Sequence, residues 1–113
     1  MFRIFYDGNW IGSSDLETGD PPMGVAMGKF YPEPCYFEVQ ETFRKLSEEI
    51  QDHLKLTVIQ PSGEVLDALA TRIDDYPELG DADIQVSVIG IEAILYSKLF
   101  PGHWDAYNDS FKS

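Results

Sequence analysis

Two residues bring side chains that do chemistry. His103 lies in Phe100-Pro101-Gly102-His103-Trp104-Asp105, among aromatic rings and one residue removed from a carboxylate. An imidazole titrates near neutral pH, and beside an acid it has the makings of a general base. A base also needs a substrate cleft, and the competing reading is a surface histidine at a helix start. Cys35 follows Pro34 where a long helix is predicted to begin. A helix N-terminus favours a thiolate, but Glu33 and Glu38 flank this cysteine and oppose one, so an inert residue at a helix start competes with a nucleophile. Neither the catalytic nor the inert reading is decided by spacing.

Carboxylates are the other material. Glu64, Asp67, Asp74, Asp75, Glu78, Asp81 and Asp83 crowd residues 64–83, against Arg72 alone. Calcium takes six to eight oxygens at defined loop positions, and Asp74-Asp75-Tyr76-Pro77-Glu78 lacks the alternation of an EF-hand. Among twenty Asp and Glu, no pair ranks above another as a glycosidase pair. Structural zinc needs about four Cys or His ligands, and Cys35, His53 and His103 have no paired spacing, so no metal site is expected. Gly24-Val25-Ala26-Met27-Gly28-Lys29-Phe30 contains a Gly-Lys pair, but its spacing is too short for a P-loop and no Ser or Thr follows Lys29. No cofactor motif is present, and none of the hydrolase, zincin or thiol-redox signatures appears.

The elements follow from periodicity. Phe2, Ile4 and Tyr6 alternate with Arg3 and Phe5 up to Asp7-Gly8, which predicts a hairpin returning through Trp10 and Ile11. Residues 13–22 read as a polar loop ending in Asp20-Pro21-Pro22. From Met23 to Phe30, Met23, Val25 and Met27 take one face of a strand, and Gly24, Ala26, Gly28 and Phe30 the other. A face of small residues invites close backbone approach, with a ligand lying on it as the alternative.

After Pro32 and Pro34, Tyr36, Val39, Phe43, Leu46 and Ile50 recur at helical spacing, predicting one long helix over about 35–53. Leu56–Ile59 is a strand and Gln60–Gly63 a turn. Residues 64–73 fit a helix face or a hairpin partner; the reading adopted is a strand over 64–70. Tyr76–Leu79 suits one helical turn. Residues 84–90 alternate as a strand, Ile91–Phe100 turns helical, and Pro101-Gly102 should stop it. Trp104, Tyr107 and Phe111 then face one side of a short helix docked on the core. The expected architecture is one α+β domain over 1–113, a mostly antiparallel sheet of four or five strands covered by the long helix and short C-terminal helices.

The chain has 113 residues, 43 % of them apolar, and a formal charge of −12, spread without any block of five like charges. That composition describes one folded, acidic domain rather than a disordered tail. Direct nucleic-acid binding is not expected, because phosphates would be repelled. A single cysteine and the lack of a signal-peptide or membrane-spanning pattern place the chain in a reducing cytosol.

The function expected is a bacterial-type, non-catalytic accessory protein that binds another protein, with a basic partner favoured by charge. Its surface would be Asp74, Asp75, Tyr76, Glu78, Asp81 and Asp83, or Trp104 and Tyr107 on the C-terminal helix. Size and charge are similar to those of antitoxin-like and immunity-type inhibitors of nucleases, a likeness of class carried by no motif. The alternatives are a small enzyme or ligand-binding domain using His103 and nearby carboxylates, and a homo-oligomer subunit joined along Val39, Phe43, Leu46 and Ile50 or through an exposed strand edge.

Overall fold

The computed structural model describes residues 1–45, 54, 56–80 and 83–110. In chain order the strands are β1 (Phe2–Tyr6), β2 (Asn9–Ser14), β3 (Thr18–Asp20), β4 (Val25–Lys29), β5 (Tyr31–Pro32), β6 (Leu56–Ile59), β7 (Ala70–Asp74) and β8 (Gln85–Ile89). The helices are α1 (Tyr36–Lys45), α2 (Ala93–Leu99) and α3 (Pro101–Asp109), with single 3-10 turns at Pro21–Met23 and Pro77–Leu79. The strands form two antiparallel four-stranded sheets, ordered β5-β2-β1-β6 and β3-β4-β8-β7.

The α+β class is as expected, but the strands make two sheets rather than one. The difference begins at residues 13–22. Instead of a polar loop, β2 runs on to Ser14, Leu16 is fully buried, and Thr18–Asp20 pairs with β4. Leu16 takes a left-handed conformation, φ 47°, while its amide donates to Ser14 Oγ at 3.0 Å. That bend carries the chain from the first sheet into the second.

The first hairpin forms as its turn residues dictate. Asp7 and Gly8 have φ 49° and 83°, the two successive positive values that a two-residue hairpin turn needs. Ile4 pairs with Gly12 and Phe5 with Trp10, so Ile11 is the extra residue of a bulge, and it is buried.

One core draws on both sheets: Ile4, Ile11 and Val58 from the first, Ala26, Ile73, Val86 and Val88 from the second. Tyr36 and Phe43 of α1, and Tyr96 and Phe100 at the C-terminal end, complete it. The small face of β4 looks into this core: Gly24, Ala26, Gly28 and Phe30 are buried. Close packing is therefore the correct reading of that face, and Glu17, whose carboxylate lies over Gly28, occupies the place a ligand would need.

The described part of α1 ends at Lys45, so the long helix is matched only over its first turns. Tyr36 and Phe43 of its stripe are buried and Val39 is half-buried, so this part of the face packs on the core. Leu46, Ile50 and His53 lie outside the described residues. Residues 64–69 are not a strand. Only Val65 bridges to Ile59, and β7 starts later, at Ala70.

As expected, the helix before Pro101 stops, at Leu99, and a second helix follows, though that one opens at Pro101 itself. Glu92 caps α2, its carboxylate accepting from Ile94 N at 3.1 Å and Leu95 N at 3.2 Å. Phe100 then leaves helical geometry at φ −132° and ψ 56°, as the residue before a proline is pushed to do. Pro101 opens α3 at a position where a missing N–H costs nothing.

Candidate functional site

His103 stands on the first turns of α3, and β3 and α2 decide its surroundings. Its ring stacks on Phe100 at 4.7 Å between centroids and 11° between planes. Its Nδ1 lies 2.8 Å from Tyr96 Oη, and Tyr96 Oη lies 2.8 Å from the Val25 carbonyl oxygen. A phenol has one proton. When it goes to the Val25 carbonyl, the imidazole must donate from Nδ1 to the phenol oxygen.

Burial lowers the His103 pKa, while the Leu16 and Glu17 backbone carbonyls and the Glu17 carboxylate pull it back up. Burial, with the charge of Asp20, pushes the Tyr96 phenol up to about 12, so it stays neutral at any working pH. Tyr96 is fully buried. The imidazole is thus built into the fold by stacking and hydrogen bonding, which is the arrangement of a structural histidine rather than of a base facing a substrate.

Cys35 sits just ahead of α1 in a cleft of about 310 Å³ lined by Tyr6, Asp7, Asn9, Ile11, Glu38 and Val39. Its thiol donates to the Trp10 carbonyl oxygen at 2.6 Å. The lining includes two carboxylates and no cation, the reverse of what activates a thiol. None of the residues named around Cys35 also surrounds His103, so the two do not form a nucleophile–base pair. Among the described residues, no group of three His, Cys, Asp or Glu is placed to hold a metal ion.

The acidic segment separates into two environments. Asp75 is 3 % exposed and accepts from Tyr36 Oη at 2.6 Å, Gln40 Nε2 at 3.0 Å and Arg44 Nε at 3.1 Å. It ties α1 to the segment after β7 and offers nothing to a partner at the surface. Its neighbours behave differently. Asp74, Tyr76, Asp83 and Gln85 line an open cleft of about 430 Å³ at the end of the β7–β8 pair. Tyr76 is 49 % exposed there, and Asp83 is exposed. Glu78 is exposed in the adjoining 3-10 turn, and Asp81 lies outside the described residues.

No family model, curated protein or solved structure matches this chain. The site must therefore be read from its own geometry. Two carboxylates, a phenol ring and a side-chain amide facing one cleft suit a guanidinium or ammonium group. Carboxylates accept its hydrogen bonds, and the ring face attracts its charge. Alternation along β8 was visible in the residues, but β7 was not placed there, and the pairing of Asp74 with Gln85 that gathers the cleft is a tertiary fact.

Trp104 and Tyr107 pack edge to face at 5.9 Å, both half-buried. No residue of α3 is fully buried, so this helix rests on the core rather than entering it. Trp104 Nε1 is buried with no hydrogen-bond partner among the described residues. A buried unpaired donor costs about 1–3 kcal/mol. Trp104→Phe keeps an aromatic ring and removes that donor. Its urea unfolding free energy is expected to stay within about 1 kcal/mol of the parent, because the two effects offset.

Proposed function

We propose that this chain is a non-catalytic accessory protein that binds a basic partner protein through the cleft of Asp74, Tyr76, Asp83 and Gln85. The observation that carries this reading is the cleft itself, where an exposed aromatic ring and carboxylates converge on one concave surface. An arginine of the partner fits it best, since its planar cation can stack on Tyr76 while donating to a carboxylate.

The rest of the surface supports the same reading. The exposed cations among the described residues are Arg3, Lys29, Lys45 and Lys98, far fewer than the exposed carboxylates. Such a field steers a basic protein into contact and repels nucleic acid. Occluding the substrate cleft of a basic nucleic-acid enzyme is one form the partnership would take. A reducing, cytosolic setting goes with the single unpaired cysteine. Among the described residues, no helix is long and apolar enough to cross a membrane.

The test is affinity capture from native lysate at low and high salt, followed by titration of the purified partner. Asp83→Asn and Tyr76→Ala together remove a charge pair and a cation–π contact, and are expected to weaken binding by about 1–2 kcal/mol, roughly tenfold. The salt dependence should become shallower. Unchanged affinity and unchanged salt dependence would refute the cleft as the binding surface.

A further inference from the structure

Granting the Asp83 cleft its role as an arginine site, we infer that a second copy of this chain supplies an arginine to it. Arg3 of one copy enters the cleft of the next, and a basic partner must displace it. The sequence holds three arginines. Arg44 is tied to Asp75, Arg72 is half-buried in β7, and Arg3 is exposed on β1.

The surroundings of Arg3 follow from strand register. Residues directly opposite one another in antiparallel strands share a face of the sheet. Arg3 stands opposite Ser13 on β2 and Ile59 on β6, Ser13 opposite Tyr31 on β5, and Phe5 opposite Trp10. The alternate residues Phe2, Ile4 and Val58 are buried, so the Arg3 set points away from the core. Trp10 and Tyr31 are each 42 % exposed. Arg3 Cζ lies 5.9 Å from the centre of the Phe5 ring, and Lys29 Nζ lies 5.4 Å from that of Tyr31. Trp, Tyr and Arg are the side chains on which protein interfaces concentrate their binding energy.

Charge decides what such a face can meet. None of these residues is acidic, in a chain with 20 Asp and Glu and a net charge of −12. Two copies repel each other through most pairs of surfaces. The contact open to them sets this positive, ring-rich face against an acidic one. The cleft supplies it, with Asp83 and Pro77 exposed and Tyr76 49 % exposed. The Arg3 guanidinium can stack on Tyr76 while donating to a carboxylate, and Trp10 and Tyr31 then shield the pair from water. At about 0.15 M salt, charges more than about 8 Å apart are largely screened, so repulsion between distant carboxylates fades while the contact pair remains. The two surfaces differ, so the contact is head-to-tail. Clefts open to a basic partner therefore become fewer as the protein concentration rises.

The test mixes two variants of the full chain. Arg3→Ala keeps the cleft and loses the arginine, whereas Asp83→Lys keeps the arginine and opposes its entry. Both positions are exposed, and circular dichroism checks that each variant folds as the parent does. Sedimentation equilibrium at about 0.15 M salt, up to about 1 mM protein, reads the mass. The parent's average mass is expected to climb with concentration beyond that of one chain. Each variant alone should associate about tenfold more weakly, or less still. An equimolar mixture of the two should form a dimer that grows no further, because Arg3 of one variant meets an intact cleft on the other.

A parent that stays monomeric overturns the inference, as does association that Arg3→Ala leaves unchanged, or a mixture that stays monomeric. The cleft is read separately, by titrating N-acetyl-arginine amide into the Arg3→Ala chain and following the Tyr76 ring resonances. Shifts that saturate, beside a parent that stays monomeric, keep the arginine site and remove the second copy. Absence of shifts, beside a parent that stays monomeric, removes both.

Discussion

Asp75→Ala is expected to remove about 3–5 kcal/mol of folding stability, read as the loss of free energy in urea titration. The carboxylate is fully buried and ion-paired to Arg44, whose own side chain is 19 % exposed. It also receives hydrogen bonds from Tyr36 and Gln40. Removing it leaves the Arg44 cation and a buried phenol without that acceptor, and each polar group is penalised for its lost partner. A domain of this length is stable by about 5–15 kcal/mol, so the change takes up a large share. Asp75→Asn keeps the shape and the acceptor oxygen but not the charge, and should cost less. Arg44→Met should also cost less than Asp75→Ala, because Tyr36 and Gln40 still stabilise the carboxylate. If Asp75→Ala unfolds within about 1 kcal/mol of the parent, the buried network is not what fastens α1 to the chain after β7.

Gly24→Ala is expected to cost about 2–4 kcal/mol, for two reasons that add. Gly24 has φ 66°, a left-handed conformation that costs an L-residue about 1–2 kcal/mol. Its Cβ would also stand 2.6 Å from the Ile91 carbonyl oxygen, a backbone atom that cannot swing aside. Ile91 N donates to the Gly24 carbonyl at 2.9 Å, so the clash falls on the contact joining the start of β4 to the start of the α2 region. Gly63→Ala is the control. It shares a positive φ, 96°, but a Cβ there meets nothing within 4 Å. Its cost should be the conformational part alone, about 1 kcal/mol. Equal losses at the two sites would show that close approach contributes nothing at Gly24.

Local patterns in the residues determined local structure well. Asp7-Gly8 specifies its hairpin because few other dipeptides accept two positive φ values in succession. The alternation over Gln85–Ile89 specifies a strand, since one face must be apolar to reach the core. The small face of β4 announced close packing. Pro101 was legible as a break, but proline ends one helix and opens the next by the same chemistry, and only the packing of α3 chose.

What tertiary structure alone decided was which polar residues are buried into the scaffold and which face an open surface. Asp74, Asp75 and Asp83 are identical side chains in one acidic run. Asp75 is buried because Tyr36, Gln40 and Arg44 arrive from a helix more than thirty residues away. Asp74 and Asp83 meet at a cleft because β7 pairs with β8. His103 looked like a base beside Asp105, yet its partner is Tyr96, with Val25 brought in from a distant strand. The division into two sheets likewise rests on a buried leucine in a left-handed turn, a conformation no propensity favours and only a filled core sustains. Spacing along a chain records what each residue can do. Burial and partners decide what it does, and both are set by contacts that sequence neighbours do not make.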